Sequence, residues 1–169
     1  RSQERFELVS RATSDAVWDW NLSTNDIWWN EGFQKLFGYD PESIGAGLDS
    51  WIGRLHPEDS ERVVHDIHRH IEDRKTYWSD EYRFLRADGT YAFVIDRGYA
   101  VYDADNTPVR MLGSMMDVTE RKSLEDQLTH QALHDPLTNI ANRALFKNRV
   151  DHALTKLARS NTTLAVLFL

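Results

Sequence analysis

The sequence predicts an α+β fold whose centre is an antiparallel sheet of five strands with short helices on one face. Three observations carry this prediction. Apolar residues alternate with polar ones in two early runs and three late ones. Turn-forming residues separate the runs at hairpin distances. The helical patterns between the second and third runs are short, which suits helices packed on one sheet rather than crossovers of a parallel one.

Each element has its own signal. Residues 1–14 read as a helix, with Phe6 and Val9 on one side. Trp18, Trp20 and Leu22 alternate with Asp19 and Asn21, a half-buried strand. Ser23 to Asp26 is turn chemistry, and Ile27-Trp28-Trp29 returns as a second strand. Asn30 suits an N-cap, Phe33, Leu36 and Phe37 form one apolar face, and Gly38 stops that helix. Pro57 suits a first helical position, with Glu58 and Asp59 at the positive end of the dipole. Val63, Val64, Ile67 and Ile71 follow as a buried stripe. Tyr82 and Phe84 lead into Ala87-Asp88-Gly89, a hairpin signal, and Tyr91, Phe93 and Ile95 alternate beyond it. Asp103 to Pro108 forms another turn, in which Asn106 tolerates a positive φ. Val109, Met111, Gly113 and Met115 alternate into the last strand.

Beyond residue 118 the pattern changes. Residues 119–136 read as a polar linker helix, in which Leu124, Leu128 and Ala132 step by four between charges. After His134-Asp135-Pro136 a second helix starts near Asn142, with Phe146, Val150, Leu154 and Leu157 on its apolar face. Leu164 to Leu169 is an uncharged strand of the kind buried on both faces in a parallel sheet. Such a strand needs neighbours, so residues 137–169 are expected to be the start of a second domain. Arg1 in place of an initiating Met also suggests an excised piece. The expected divisions are a helix over 1–14, a sensory domain over 15–118, the linker over 119–136 and the truncated domain over 137–169.

Composition removes several function classes. The net charge of −7 disfavours non-specific nucleic-acid binding. No apolar run approaches a membrane span, and no signal-peptide pattern is present. The piece is therefore expected to be cytoplasmic and without membrane contact of its own, whether or not a longer protein is anchored. With no cysteine there is no disulfide, thiolate metal site or cysteine nucleophile.

The pieces VWDWNL, IWWNEGFQKLFGYDPE, WIGRLHPEDSERV, EYRFLRADGTYAFVIDRG and MLGSMMDVTERK together resemble a PAS sensory domain, in family order. The last carries the aspartate-x-threonine ending, Asp117 and Thr119, common to that family. ALHDPLTNIANRALF resembles the entry of a GGDEF diguanylate cyclase domain, and LAVLFL its first strand. Asn139 stands where that family usually has glycine, and Ala141 where it often has proline. The resemblance implies a regulatory module of cyclic di-GMP signalling, whose cyclase would use GTP and Mg. The family's metal and guanine contacts would lie beyond Leu169, so no catalytic residue carries over.

Trp18, Trp28, Phe33, Phe37, Trp51, Phe84, Phe93 and Met111 are the pocket candidates. Together with Trp20 and Trp29 they could line a cavity in which a planar ligand such as a flavin stacks. Alternatively they simply pack as a core, and the domain is a ligand-free interaction module. His65 and His68 have metal-ligand spacing, and the resemblance suggests a haem histidine on that helix. The charges around them, Arg62, Asp66, Arg69, Glu72 and Asp73, mark a solvated face and argue against metal or haem. His56 reads as a turn cap. Asp80, Glu81, Asp96, Asp103 and Asp105 could suggest acid–base work, but no nucleophile or phosphate loop accompanies them. Asp117, Thr119, Leu124, Leu128 and Asp135 are the candidate signal-linker residues, with Leu124 and Leu128 as the seam of a parallel homodimer.

Overall fold

The computed structural model describes residues 15–40, 43–157 and 165, in two compact units, 1–120 and 121–169. The helix expected over 1–14 lies outside the described residues, as does the strand expected over 164–169 save for Ala165.

In the first unit, β1 (Ala16–Asn21) and β2 (Asp26–Trp29) form a hairpin. Asn25 takes the left-handed conformation at its turn, with φ 67°. Three helices come next: α1 (Glu31–Phe37), α2 (Asp49–Ile52) and α3 (Pro57–Glu72). Then come β3 (Tyr77–Leu85), β4 (Tyr91–Tyr102) and β5 (Pro108–Asp117). The five strands are antiparallel neighbours in the order β2-β1-β5-β4-β3. The first hairpin therefore docks on the last strand, and the helices are the connection between the two halves of the sheet.

Local chemistry places the helices. Gly38 ends α1 at φ 78°, a conformation that costs glycine little. Asn30 holds the N-cap position of α1, but its side chain turns to β1: Val17 N donates to its Oδ1, and its Nδ2 donates to Asp15 O. Pro57 opens α3, and His56 caps it by accepting from Glu58 N. Val63 and Ile67 are buried, while Val64 and Ile71 pack against the core half-exposed. Asp59, in the first turn, grips Arg83 of β3, and that guanidinium holds its carboxyl down to about 2. Asn106 lies at φ 60°, as its turn requires.

Side-chain volume is matched across the sheet. On the inner face, bulky residues of β3 oppose small ones of β4: Trp78 pairs with Gly98, Tyr82 with Val94 and Phe84 with Ala92. Phe33, Phe37 and Phe84 form an aromatic cluster with ring centroids 4.7–6.0 Å apart, at the edge-on and tilted angles that aromatic pairs favour.

In the second unit, α4 (Thr119–Leu133), which begins within the first, runs on without a buried residue. Leu124 is 51% and Leu128 65% exposed. Asp135 ties the turn after this helix: its Oδ1 accepts from Leu137 N, Thr138 N and Thr138 Oγ1. These donors hold its carboxyl below the usual range. Asn139 has φ 55°, which explains why asparagine can replace a glycine there. Asn142 caps α5 (Arg143–Leu157) by accepting from Ala144 N and Leu145 N. On α5, Phe146 and Leu154 stand exposed and Val150 half-buried.

Candidate functional site

A small cavity lies between the sheet and the helices. Trp18, Trp20, Ile27 and Trp29 of β1 and β2 form one side, with Asp96 of β4. Leu48, Trp51 and Ile67 close it from above. Its volume is about 10 Å³, room for roughly one water molecule. A flavin or haem does not fit this space, and no histidine lines it.

The polar feature of the cavity is Asp96, 1% exposed. Trp18 Nε1 donates to its Oδ1 at 2.8 Å and the Tyr82 hydroxyl donates to its Oδ2 at 2.6 Å. Trp51 Nε1 in turn donates to the Tyr82 oxygen at 2.8 Å. The four side chains make one buried chain across β1, β3, β4 and α2. Burial pushes the Asp96 carboxyl up to about 7, against the pull of its Tyr82 and Trp18 hydrogen bonds. Burial and the neighbouring Asp96 charge also push the Tyr82 hydroxyl well above its ordinary range.

Two glycines make room for this arrangement. Gly98 and Gly113 are direct partners across β4 and β5, and Trp18 pairs with Gly113 from the other side. The Trp18 indole lies over both. A methyl added at Gly113 would sit 2.2 Å from Trp18 Cζ2, and one at Gly98 2.7 Å from Trp18 Cη2.

The predicted pocket residues divide three ways. Trp18 and Trp51 line the cavity. Phe33, Phe37, Phe84 and Met111 are buried in the surrounding core without lining it. Trp28 and Phe93 do neither: they are 51% and 40% exposed on the opposite sheet face. Strand alternation is the reason. Trp28 lies between inward-facing Ile27 and Trp29, and Phe93 between fully buried Ala92 and Val94. Residue type alone ranks Asp96 only among several candidate carboxylates. The cue to its place is parity: it shares a face with Ala92, Val94 and Gly98. Of the other candidate carboxylates, Asp80 pairs with Arg62, and Asp103 caps its turn. His68 and His70 meet the backbone oxygens of Val64 and Tyr77.

The second functional feature is the anchor at the start of α4. Asp117 Oδ1 accepts from Thr119 N and Oγ1, and Asp117 Oδ2 accepts from Arg86 at 2.6 Å. The Thr119 hydroxyl oxygen accepts from Phe93 N, and Val118 N donates to Phe93 O. Burial opposes ionisation of Asp117, but the bonds from Thr119 and Arg86 outweigh it and hold its carboxyl below the usual range. β4 thus carries Asp96 in the cavity and, three residues earlier, Phe93 at the helix start. Replacing Thr119 by valine keeps the shape and removes only the bonds of its hydroxyl, those to Asp117 Oδ1 and from Phe93 N and Arg86. The first turn of α4 is expected to lose about 1–2 kcal/mol of local stability. Hydrogen exchange at the Phe93 amide should then speed up about tenfold, and unchanged protection would show that the anchor bears no load.

Known proteins share this architecture. The PAS fold family matches residues 26–115, and the diguanylate cyclase GGDEF domain family matches residues 132–169. A sensory box histidine kinase/response regulator from Burkholderia thailandensis is 34% identical, with a TM-score of 0.62 over 74% of this chain and 92% of that one. The N-terminal domain of a diguanylate cyclase with PAS/PAC sensor from Marinobacter aquaeolei is 26% identical, with a TM-score of 0.60 over 64% of this chain and 98% of that one. The probable diguanylate cyclase DgcE of Escherichia coli is 27% identical over 81% of this chain, which spans 12% of that protein. No described helix is long and apolar enough to cross a membrane. With its sheet order, its aspartate-x-threonine anchor and its matched residues in agreement, the chain belongs to the PAS fold family and runs on into the start of a GGDEF domain.

Proposed function

We propose that this chain is the cytoplasmic input module of a longer diguanylate cyclase, and that α4 carries its state to a domain making cyclic di-GMP from GTP. The observation that supports this most is the anchor: Asp117, Thr119 and Arg86 bind the first turn of α4 to β5 and to β4, the strand that carries Asp96. A change in the packing around Asp96 would move β4 against β5, and with them the root of the helix. Exposed Leu124 and Leu128 supply a seam for a second copy in a parallel dimer, the arrangement that would bring two GTP-loaded domains face to face. The smallness of the cavity supports a second reading, a ligand-free module that sets dimer geometry by packing alone.

Helix register tests the transmission. Four residues inserted after Gln127, in a longer protein with a complete GGDEF domain, turn the downstream chain by about 40°. A three-residue insertion turns it by about 60° the other way. Both are expected to abolish or invert signal-dependent cyclase output while leaving the PAS domain folded. Output that responds normally in both variants would defeat the reading.

A further inference from the structure

We infer that His130 and His134, one turn apart at the end of α4, chelate a divalent transition-metal ion of the copper(II) or nickel(II) kind. Spacing and geometry point there together. Residues four apart on a helix are neighbours on one face. The two rings lie face to face, with centroids 4.1 Å apart and planes 8° from parallel. Histidine χ2 is a soft torsion, so a small tilt of each ring brings two imidazole nitrogens onto one ion. A histidine pair at this spacing on a helix is the two-nitrogen half of a common zinc site.

The lone pair of His134 is already placed. Its Nδ1 meets the backbone oxygen of His130 at 3.2 Å. A carbonyl oxygen can only accept, so the proton sits on Nδ1 and the lone pair on Nε2. A ring N–H given to a backbone oxygen is how metal-ligating histidines are commonly oriented. The turn that presents the pair is held from behind: Asn142 Nδ2 donates to Ala132 O at 2.7 Å, and Asn142 N donates to Leu133 O at 2.9 Å. His130 is exposed and His134 half-buried, so an ion reaches the pair from solvent. The last turn is also the negative end of the α4 dipole, where a cation is favoured. Ligand number then selects the metal. No group of three or more histidine, aspartate or glutamate side chains is placed to hold a metal among the described residues, so water completes the coordination. Structural zinc sites close with four protein ligands, whereas two nitrogens with water oxygens suit tetragonal copper(II) and nickel(II). Magnesium and calcium prefer oxygen ligands. An ion held here clamps the last turn of α4 where it meets the start of the GGDEF domain, and gives that joint an input of its own.

The site is separate from the cavity of the PAS domain and does not depend on α4 carrying a signal. The chain is titrated by calorimetry with copper(II), nickel(II) and magnesium chlorides in a non-chelating buffer. A first equivalent of copper(II) is expected to bind most tightly, nickel(II) more weakly and magnesium not at all. His130→Ala and His134→Ala should each weaken that first equivalent by about tenfold or more, since even the outer partners of a metal site are worth about tenfold. Alanine favours the helix, so neither change puts folding at risk. The double variant His65→Ala/His68→Ala is the control and should bind as the native chain does. The His134 amide donates to His130 O, and with nickel(II) at about 100 times its dissociation constant its hydrogen exchange should slow by up to about a hundredfold. Any of four results would overturn the inference: no saturable first equivalent, an equal response to magnesium, a first equivalent untouched by His130→Ala and His134→Ala or lost in the control, or exchange at His134 that the ion does not slow.

Discussion

Asp96→Asn is expected to gain stability relative to the native chain as pH rises, by on the order of 4 kcal/mol between about pH 4 and pH 8. The Asp96 carboxyl ordinarily titrates at 3.8, and burial lifts it to about 7 in the folded chain. Between those values the folded state holds a proton that the unfolded state has released. Stability contributed by this group is therefore present at acid pH, falls as pH rises from about 4 to 7 and is flat above. Asparagine does not titrate, so the variant loses this slope. Its amide can still accept from Trp18 or Tyr82, so the comparison isolates charge rather than shape. Urea denaturation of both proteins across the pH range measures the difference. Parallel stability curves would show that Asp96 is solvated or paired in solution.

Gly113→Ala is expected to destabilise the fold by about 3 kcal/mol or more. The new methyl would stand 2.2 Å from Trp18 Cζ2 and 2.3 Å from the backbone oxygen of Arg97. The second contact is with main chain, so no rotamer change relieves both. Overpacking of this kind costs about 1–3 kcal/mol. Displacing the indole also removes its bond to buried Asp96, which costs about 1–3 kcal/mol more. Gly47→Ala is the control: its methyl meets nothing within 4 Å, and the change should stay within about 0.5 kcal/mol. Equal effects from the two substitutions would mean that the indole does not lie over Gly113.

Much of this protein is legible in the chain itself. Local chemistry dictates the hairpin turns at Asn25 and Asn106, the stop at Gly38 and the start of α3 at Pro57, because caps and turns are settled by a few neighbouring residues. Period alone marks five strands, a polar linker helix and a separate second unit. The aspartate-x-threonine ending marks the anchor, although its partners Arg86 and Phe93 are distant in sequence.

Which face of each strand is inner was decided only by tertiary packing. In β4 the large residues Tyr91, Phe93 and Ile95 alternate with small ones, and hydrophobicity alone favours burying the large set. The fold buries Ala92, Val94 and Asp96 instead, because Phe84, Tyr82 and Trp78 of β3 already fill that layer. The same competition for volume puts glycine at 98 and 113 beneath Trp18 and turns Trp28 outward. It also encloses Asp96, whose neighbours Trp18, Tyr82 and Met115 come from β1, β3 and β5. A carboxylate's environment is a sum over residues far apart in the chain, and no local pattern in the sequence contains it.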